Sequence, residues 1–185
     1  MSRCFGEGDP LYADYHDHEW GRPLPADLPF AERERLLFER VSLEAFQSGL
    51  SWITILRKRP AFREVFAGFE PRTVAAFDDA AVDQLLTDTR IVRNGAKIRA
   101  TIANARALLD LHAAGGSLGA LLRDHTPARR GSQPPEWSAL PARTEESAAL
   151  ARALAAAGFR FVGPTTAYAT MQAVGVVNDH VAGCP

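Results

Sequence analysis

The feature that most constrains this chain is an acidic residue on the apolar face of its most regular predicted helix. On a helical wheel for residues 36–48, four side chains fall on one line, at spacings of four, three and four residues: Leu37, Val41, Glu44 and Ser48. Neighbouring apolar residues widen this line into a face that points toward a protein interior. Glu44 is therefore expected to be buried, or nearly so, in the folded chain.

The residues after this helix bring a large aromatic side chain close to Glu44. Gly49 allows the chain to leave the helix, and Trp52 follows after one short turn. A buried carboxylate destabilises a fold unless it has a partner. One interpretation is that Glu44 pairs with an arginine or a backbone N–H group, beside a tryptophan of the core. The other is a pocket in which Trp52 stacks on a flat, cationic ligand that Glu44 anchors.

Length and composition are those of an ordinary globular protein. The 185 residues, 46% hydrophobic and 23% charged, suit one domain that spans residues 1–185, or two small lobes that share a core. The net charge of −1 does not by itself suggest nucleic acid, although binding depends on local patches. Because we find no membrane-length apolar run and no signal peptide, we expect a cytoplasmic protein that does not enter a membrane. We also expect a monomer.

The pattern along the chain predicts a mostly helical protein with little strand character. Residues with helix-initiating properties stand before most of the apolar periodic segments: Pro60, Thr73, Asp78 or Asp79, Asn94, Thr144 and Pro164. Residues 52–56 fit either a strand or a helix. Residues 4–21 follow neither period, and residues 123–137 are predicted to form a long loop.

A turn rich in basic side chains separates two of these predicted helices. Residues 89–97 form a short polar hairpin in which Asn94 is placed to cap the second helix. The basic side chains around the turn are Arg90, Arg93, Lys97 and Arg99. They form either an ordinary solvated surface or, together with backbone amides, a site that holds a DNA phosphate.

Potential metal ligands lie at the two ends of the chain. His180 and Cys184 are four residues apart, so that one helical turn would place both on one side. Together with Cys4 and His16 they make a Cys₂His₂ set, which suits a closed, structural zinc site. From spacing alone His18 competes with His16, and two unrelated free thiols are the alternative.

Several separated motifs share their order and spacing with one family. They are Asp9-Pro10-Leu11-Tyr12, Tyr15-His16-Asp17-x-Glu19-Trp20-Gly21, Gln47-x-Gly49-Leu50-Ser51-Trp52, Gly158-Phe159-x-Phe161-Val162-Gly163 and Val177-Asn178-Asp179-His180-Val181-x-Gly183-Cys184. Together they resemble the 3-methyladenine DNA glycosylase I family. The resemblance spans almost the whole chain and weakens between about residues 115 and 144.

The resemblance implies an all-α fold of the helix-hairpin-helix DNA glycosylase superfamily, with two helical lobes that share a cleft. It also implies one structural Zn²⁺ per chain, which joins the N- and C-terminal segments. The implied ligands are Cys4, His16, His180 and Cys184, which favours His16 over His18.

The resemblance further implies a pocket for an alkylated base and a hairpin that grips double-stranded DNA. The base-binding residues are Tyr15, Trp20, Glu44 and Trp52, with Glu44 as the catalytic residue. The DNA-binding hairpin contributes Arg90, Arg93, Asn94 and Lys97. Leu50, beside the pocket, is a candidate wedge for the gap left by the flipped nucleotide, with a plain core residue as the alternative.

The expected chemistry agrees with these residue types. The enzyme has to extrude the base in order to reach its glycosidic bond. Methylation at N3 gives adenine a positive charge, and both a stacked indole and an ionised carboxylate prefer that cation to neutral adenine. The charged base is also a good leaving group, which is released as free 3-methyladenine. The expected activity is that of a monofunctional glycosylase in base excision repair.

Three features depart from the expected family pattern, and two other functions remain open. Arg90 stands where many relatives are expected to have a glycine, Phe46 replaces a polar residue of some members, and Phe5 lies where a tryptophan is possible. The superfamily's usual catalytic Asp after the hairpin is absent, since Asp110 is read as a surface residue. The alternatives are a non-catalytic module that binds alkylated or abasic DNA, and a zinc-stapled protein that binds a small aromatic cation.

Overall fold

The computed structural model describes residues 3–128 and 133–184, and within these ranges it contains helices and turns but no β-strand. The all-α prediction is therefore confirmed. The helices are α1 (Pro10–His18), α2 (Phe30–Gln47), α3 (Trp52–Val65), α4 (Pro71–Ala75), α5 (Asp79–Thr87), α6 (Gly95–Ala113), α7 (Leu118–Asp124), α8 (Glu145–Ala156) and α9 (Pro164–Ala173). Two short 3₁₀ turns span Ala67–Phe69 and Trp137–Ala139. None of the helices in the described ranges is long and apolar enough to cross a membrane.

Helix α2 is the central element of the core. It packs against α3, α6, α7 and α9, and every residue from 37 to 46 is buried. The sequence predicted one apolar face, whereas the helix is buried on all sides in this segment. Three charged side chains, Glu39, Arg40 and Glu44, are consequently placed in the interior.

Two of these charges belong to an ion-pair network that joins three helices. Arg59 of α3 donates to Glu39 and to Glu19, at 2.6 Å in each case, and Arg40 also pairs with Glu19. Glu19 follows the last residue of α1, so the network connects α1, α2 and α3. Removing one member of such a network leaves a buried charge without compensation.

The first helix lies within residues 4–21, where the sequence shows neither a helical nor a strand period. Asp9 caps α1 by accepting a hydrogen bond from the Tyr12 amide at 3.1 Å, and Pro10 occupies the first helical position. The Asp9-Pro10 pair is an ordinary helix-start signal. The apolar period is absent because Tyr15 and His16, the buried residues of α1, are an aromatic phenol and an imidazole.

Most other predicted helix starts agree with the structure. Asp78, Asn94 and Thr144 are N-caps, and α9 begins at Pro164. The predictions for Pro60 and Thr73 are wrong.

The two wrong starts have local explanations. Pro60 lies inside α3, which begins eight residues earlier and includes the ambiguous residues 52–56, and α4 begins at Pro71.

Of the predicted loop over residues 123–137, residues 129–132 lie outside the described ranges. On either side of them, α7 extends to Asp124 and a 3₁₀ turn begins at Trp137.

A buried carboxylate of α2 anchors α7. Oε2 of Glu34 accepts a hydrogen bond from the Leu118 amide at 2.7 Å and lies 2.9 Å from Nε2 of His112, and Oε1 accepts from the Gly119 amide at 2.9 Å. The carboxylate thus satisfies N–H groups at the start of a helix, which have no partner within that helix.

Glu34→Ala is expected to lower the free energy of unfolding by about 2–4 kcal/mol, because it leaves buried donors without an acceptor. Urea unfolding measures this change. The matched control is Glu32→Ala on the same helix, where an exposed pair with Arg35 is removed; its effect is expected to stay below about 0.5 kcal/mol. Equal effects of the two substitutions would contradict this role of Glu34.

Candidate active site

A small aromatic cavity, which we call the base pocket, lies where α1, the end of α2, the start of α3 and α9 meet. Its volume is about 100 Å³. Aromatic side chains form most of its wall, and Glu44 is its acidic residue. The lining residues are Phe5, Tyr12, Tyr15, Trp20, Glu44, Gln47, Trp52, Trp137, Ala169 and Gln172.

The turn between α2 and α3 determines that Glu44 and Trp52 face the same cavity. Glu44 stands one turn before the end of α2, and Trp52 is the first residue of α3. Between them the Leu50 amide donates to the Gln47 carbonyl at 2.6 Å, and Gly49 has a φ of +81°. A side chain at this φ would be strained, so glycine suits the turn.

The aromatic rings form the walls of a narrow space. The ring of Tyr15 lies 5.3 Å from that of Trp52, and the ring of Trp20 lies 5.7 Å from that of Trp137. Phe5 packs edge-on against Trp20 and Trp137 at 5.1 and 5.4 Å. Such walls accept a flat ring by stacking and exclude water from it.

Glu44 is buried in this space without a direct partner. It is 5% exposed, and none of the described residues donates a hydrogen bond or lies within ion-pairing distance of its carboxylate. Burial raises the pKa of Glu44 to about 8, an effect that the charge of Arg40 partly offsets. The simpler interpretation, a carboxylate paired with an arginine or an N–H group, is therefore not met.

Two further polar groups face the pocket: the phenol of Tyr15 and the indole N–H of Trp52. The guanidinium of Arg40 lies over the Tyr15 ring, 5.7 Å from its centre. Burial and the nearby Glu44 raise the pKa of Tyr15 well above its ordinary value, so the phenol keeps its proton as a hydrogen-bond donor. The indole Nε1 of Trp52 is buried and has no hydrogen-bond partner among the described residues.

A second cavity, which we call the rim groove, adjoins the base pocket. It has a volume of about 290 Å³ and shares Glu44, Gln47 and Ala169 with the pocket. Leu50 lies at this groove with 42% of its surface exposed. The alternative in which Leu50 is a plain core residue is therefore wrong.

The predicted cysteine and histidine residues come together behind the pocket. Their ligand atoms all lie within 4.8 Å of one another: Cys4, His16, His180 and Cys184. The Cys184 sulfur is 3.0 Å from that of Cys4 and 3.2 Å from Nε2 of His16. These four residues can hold a metal ion.

The surroundings orient His16 and distinguish it from His18. The Nδ1 atom of His16 lies 2.8 Å from Asp17, which leaves Nε2 facing Cys184. Arg3 donates to the same carboxylate and holds the pKa of Asp17 well below its usual range. The side chain of His18 is 71% exposed and pairs with Asp14.

The predicted DNA-binding residues around the α5–α6 turn differ from one another in exposure and in their partners. Asn94 caps α6 by accepting from the Lys97 amide at 3.1 Å, and Arg93 is exposed. Arg90 is half-exposed but already paired with Asp88 and Glu64. Its φ is not positive, so a residue with a side chain fits this position without strain.

Lys97 corrects one prediction. It was expected to offer its ammonium group to DNA, but it is 7% exposed and its Nζ donates to the carbonyls of Phe46 and Ser48. The apolar period of α6 turns this position inward, and its long side chain reaches the end of α2.

Several lining residues of the pocket were not among the predicted site residues, although Tyr12 and Gln47 lie within the family motifs. Tyr12 stands one helical turn before Tyr15 and on the same side of α1, which is a signal once α1 is recognised. Gln47 lies one turn after Glu44, by the same logic. Trp137 and Gln172 come from distant parts of the chain, and no local pattern indicates them.

The structure thus defines an all-helical protein whose aromatic pocket contains a buried acid without a hydrogen-bond or ion-pair partner among the described residues. A model of the family described as methyladenine glycosylase matches residues 5–185. The chain belongs to this family, which confirms the resemblance found in the motifs.

Relatives and solved structures agree with this assignment. The chain is 43% identical to a DNA-3-methyladenine glycosylase 1 of Escherichia coli (strain K12), over 100% of this chain and 96% of the relative. A crystal structure of a 3-methyladenine DNA glycosylase I matches with a TM-score of 0.91 and 42% identity, covering 99% of this chain and 98% of the other. A variant of 3-methyladenine DNA glycosylase I in complex with 3-methyladenine matches with a TM-score of 0.89 and 33% identity, covering 100% and 97%.

Glu44→Gln is expected to stabilise the fold above neutral pH. Because burial raises the pKa of Glu44 from 4.5 to about 8, the folded chain binds more protons than the unfolded chain between these values. The stability of the unmodified chain therefore falls as the pH rises through this window. At about pH 8 the variant is expected to be more stable by about 1–3 kcal/mol.

Urea unfolding at about pH 5 and about pH 9 measures this difference. Asp110→Asn, at an exposed position of α6, is the control and is expected to follow the unmodified chain. The same pH dependence with and without the Glu44 carboxylate would contradict the burial argument.

Proposed function

We propose that this chain is a DNA glycosylase that removes 3-methyladenine from alkylated double-stranded DNA. The observation that carries the proposal is the Glu44 carboxylate, buried among aromatic rings beside Trp52 and without a hydrogen-bond or ion-pair partner in the described residues. A carboxylate in this position is destabilising by itself. A cationic ligand that enters the pocket supplies the missing partner.

Selection for the methylated base follows from charge and shape. Stacking on the indole of Trp52 accepts any flat ring, but the face of the indole attracts a cation more strongly. Glu44 adds a charge-assisted attraction that neutral adenine lacks. Tyr15 and Trp20 complete the walls, and the phenol of Tyr15 is available as a hydrogen-bond donor.

The reaction needs little more than positioning. The bond between the deoxyribose C1′ and N9 breaks with its electron pair moving to the base, which leaves as neutral 3-methyladenine. Positive charge develops on the sugar, and the oxygen of a water molecule bonds to C1′ and loses a proton to solvent. The Glu44 carboxylate stabilises this positive charge, first while it resides on the base and then as it moves to the sugar.

On the DNA side, we propose that Leu50 enters the space of the extruded nucleotide and that the α5–α6 turn holds the backbone. The exposure of Leu50 at the rim groove supports the first role. The helix–turn–helix arrangement with Asn94, Arg90 and the exposed Arg93 supports the second, and with it membership of the helix-hairpin-helix superfamily. The chain then acts as one domain of two helical lobes, with the base pocket between them.

We also propose that Cys4, His16, His180 and Cys184 hold one structural Zn²⁺. Two sulfur and two nitrogen donors within 4.8 Å of one another fit the tetrahedral preference of zinc. Four protein ligands leave no open position, so the ion would contribute stability and not catalysis. It would join the two chain ends beside Trp20, whose ring lies 4.8 Å from that of His180.

The alternatives are less well supported. A non-catalytic DNA-binding module is not favoured, because the relatives are themselves named as glycosylases. A binder of small cations accounts for the pocket but not for the exposed Leu50 at its rim. The expectations of a cytoplasmic location and a monomeric state stay predictions.

Incubation with methylated duplex DNA is expected to release 3-methyladenine, detected by chromatography of the free bases. Because the methylated nucleotide has a fixed charge and ionised Glu44 binds it best, kcat/KM is expected to rise as the pH approaches about 8. Glu44→Gln is expected to lower kcat/KM at least about tenfold and to remove this rise. Release no greater than from untreated DNA would reject the proposed activity.

Elemental analysis of the freshly purified protein is expected to find one zinc per chain. Cys184→Ser is expected to lose the metal and to lower the free energy of unfolding by at least about 3 kcal/mol, because metal binding contributes directly to folding. His18→Ala is the matched control on α1 and is expected to retain both metal and stability. A metal-free, equally stable protein would overturn the zinc proposal.

A further inference from the structure

The chain has only two lysines, Lys58 and Lys97, and each donates to two backbone carbonyls of a different part of the chain. Lys58 of α3 donates to the carbonyls of Thr89 and Arg90, at 3.1 and 3.0 Å, and so holds the α5–α6 turn from outside. Lys97, in the first turn of α6, connects the other end of the turn to the end of α2. The turn is thereby tied to both helices that supply Glu44 and Trp52 to the base pocket.

The contacts of Lys97 end on the last residues of α2. Its Nζ donates to the Phe46 carbonyl at 2.9 Å and to the Ser48 carbonyl at 2.6 Å. Carbonyls at a helix C-terminus lack partners within the helix, and a cation there is favoured by the helix dipole. Burial lowers the pKa of Lys97, as expected for an ammonium group taken out of water.

The anchored carbonyls lead directly into the turn that carries Leu50. Ser48 is the C-cap of α2, Gly49 follows with a positive φ, and Leu50 is the exposed residue at the rim groove. The three residues that connect Ser48 to Trp52 are all exposed, so that little of the core packs on them. The position of this connection therefore depends on what holds the Ser48 carbonyl immediately before it.

We propose that Lys97 is a positioning residue that fixes Leu50 relative to the α5–α6 turn. The proposal rests on the proposed function, in which Leu50 enters the duplex while the turn holds the backbone. When the α5–α6 turn binds phosphates, the contacts of Lys97 with Phe46 and Ser48 determine where Leu50 lies relative to the bound backbone. Extrusion of the base and grip on the DNA are thus linked by one buried side chain.

A double-mutant cycle tests whether Lys97 acts through Leu50. Lys97→Met keeps the length and apolar character of the side chain but removes the ammonium group. Single-turnover release of 3-methyladenine from saturating methylated duplex is expected to fall about tenfold in Lys97→Met and in Leu50→Ala. Because both changes disturb one element, the double variant is expected to be less than about threefold slower than either.

The matched control is Lys58→Met, which loosens the outside of the turn but not the end of α2. Its effect is expected mainly in KM for DNA, and its combination with Leu50→Ala is expected to be multiplicative. Binding of free 3-methyladenine, followed by tryptophan fluorescence, is expected to change less than about twofold in Lys97→Met. If this variant fails to fold, Lys97→Arg takes its place, since it keeps the charge but not the fit to two carbonyls.

Each other outcome has a definite meaning. Multiplicative effects of Lys97→Met and Leu50→Ala would overturn the coupling. A loss of free-base binding in proportion to the loss of rate would show that Lys97 builds the pocket, which also overturns it. Absence of base release by the unmodified protein would instead reject the proposed function, so the two failures are distinguishable.

Discussion

The rest of this structure depends on a helix that buries charge on every side. Helix α2 carries Glu39, Arg40 and Glu44 through the centre of the core. Glu39 and Arg40 are compensated by partners from α1 and α3, and this requirement fixes how those two helices lie against α2. Glu44 is not compensated in the same way. Glu39 and Arg40 thus have ion-pair partners, whereas Glu44 faces a cavity.

That distribution links stability to binding. An uncompensated carboxylate among aromatic rings destabilises the free protein, and the same field attracts a ring that carries a positive charge. Arg40 moderates the effect: its charge lowers the pKa of Glu44, although burial remains the larger influence. A pocket of this kind discriminates by charge, because a neutral ring gains the stacking but not the ionic attraction.

The pocket is assembled from parts of the chain that are far apart, and its geometry depends on how they are joined. Phe5 and Tyr15 come from the first segment, and Gln172 comes from the last helix. The cysteine and histidine cluster lies directly behind Trp20. In it the ring centres of His16 and His180 are 5.0 Å apart. On the opposite side, the contacts of Lys97 with the end of α2 hold the turn that follows Glu44. The cluster restrains the walls of the pocket and the Lys97 contacts restrain the Leu50 turn at its rim, and none of these side chains lines the pocket.

The sequence by itself determined the helical class, most helix caps, the inward direction of Glu44 and the nearness of Trp52, because these follow from local spacing and backbone preferences. It also indicated which cysteines and histidines belong together, once the motifs were recognised. The tertiary structure alone decided which carbonyls Lys97 binds, that Glu44 lacks a partner and that Leu50 is exposed. It also added Trp137 to the pocket. These properties depend on contacts between residues that are distant in the chain, and periodicity along one helix carries no information about what packs against it.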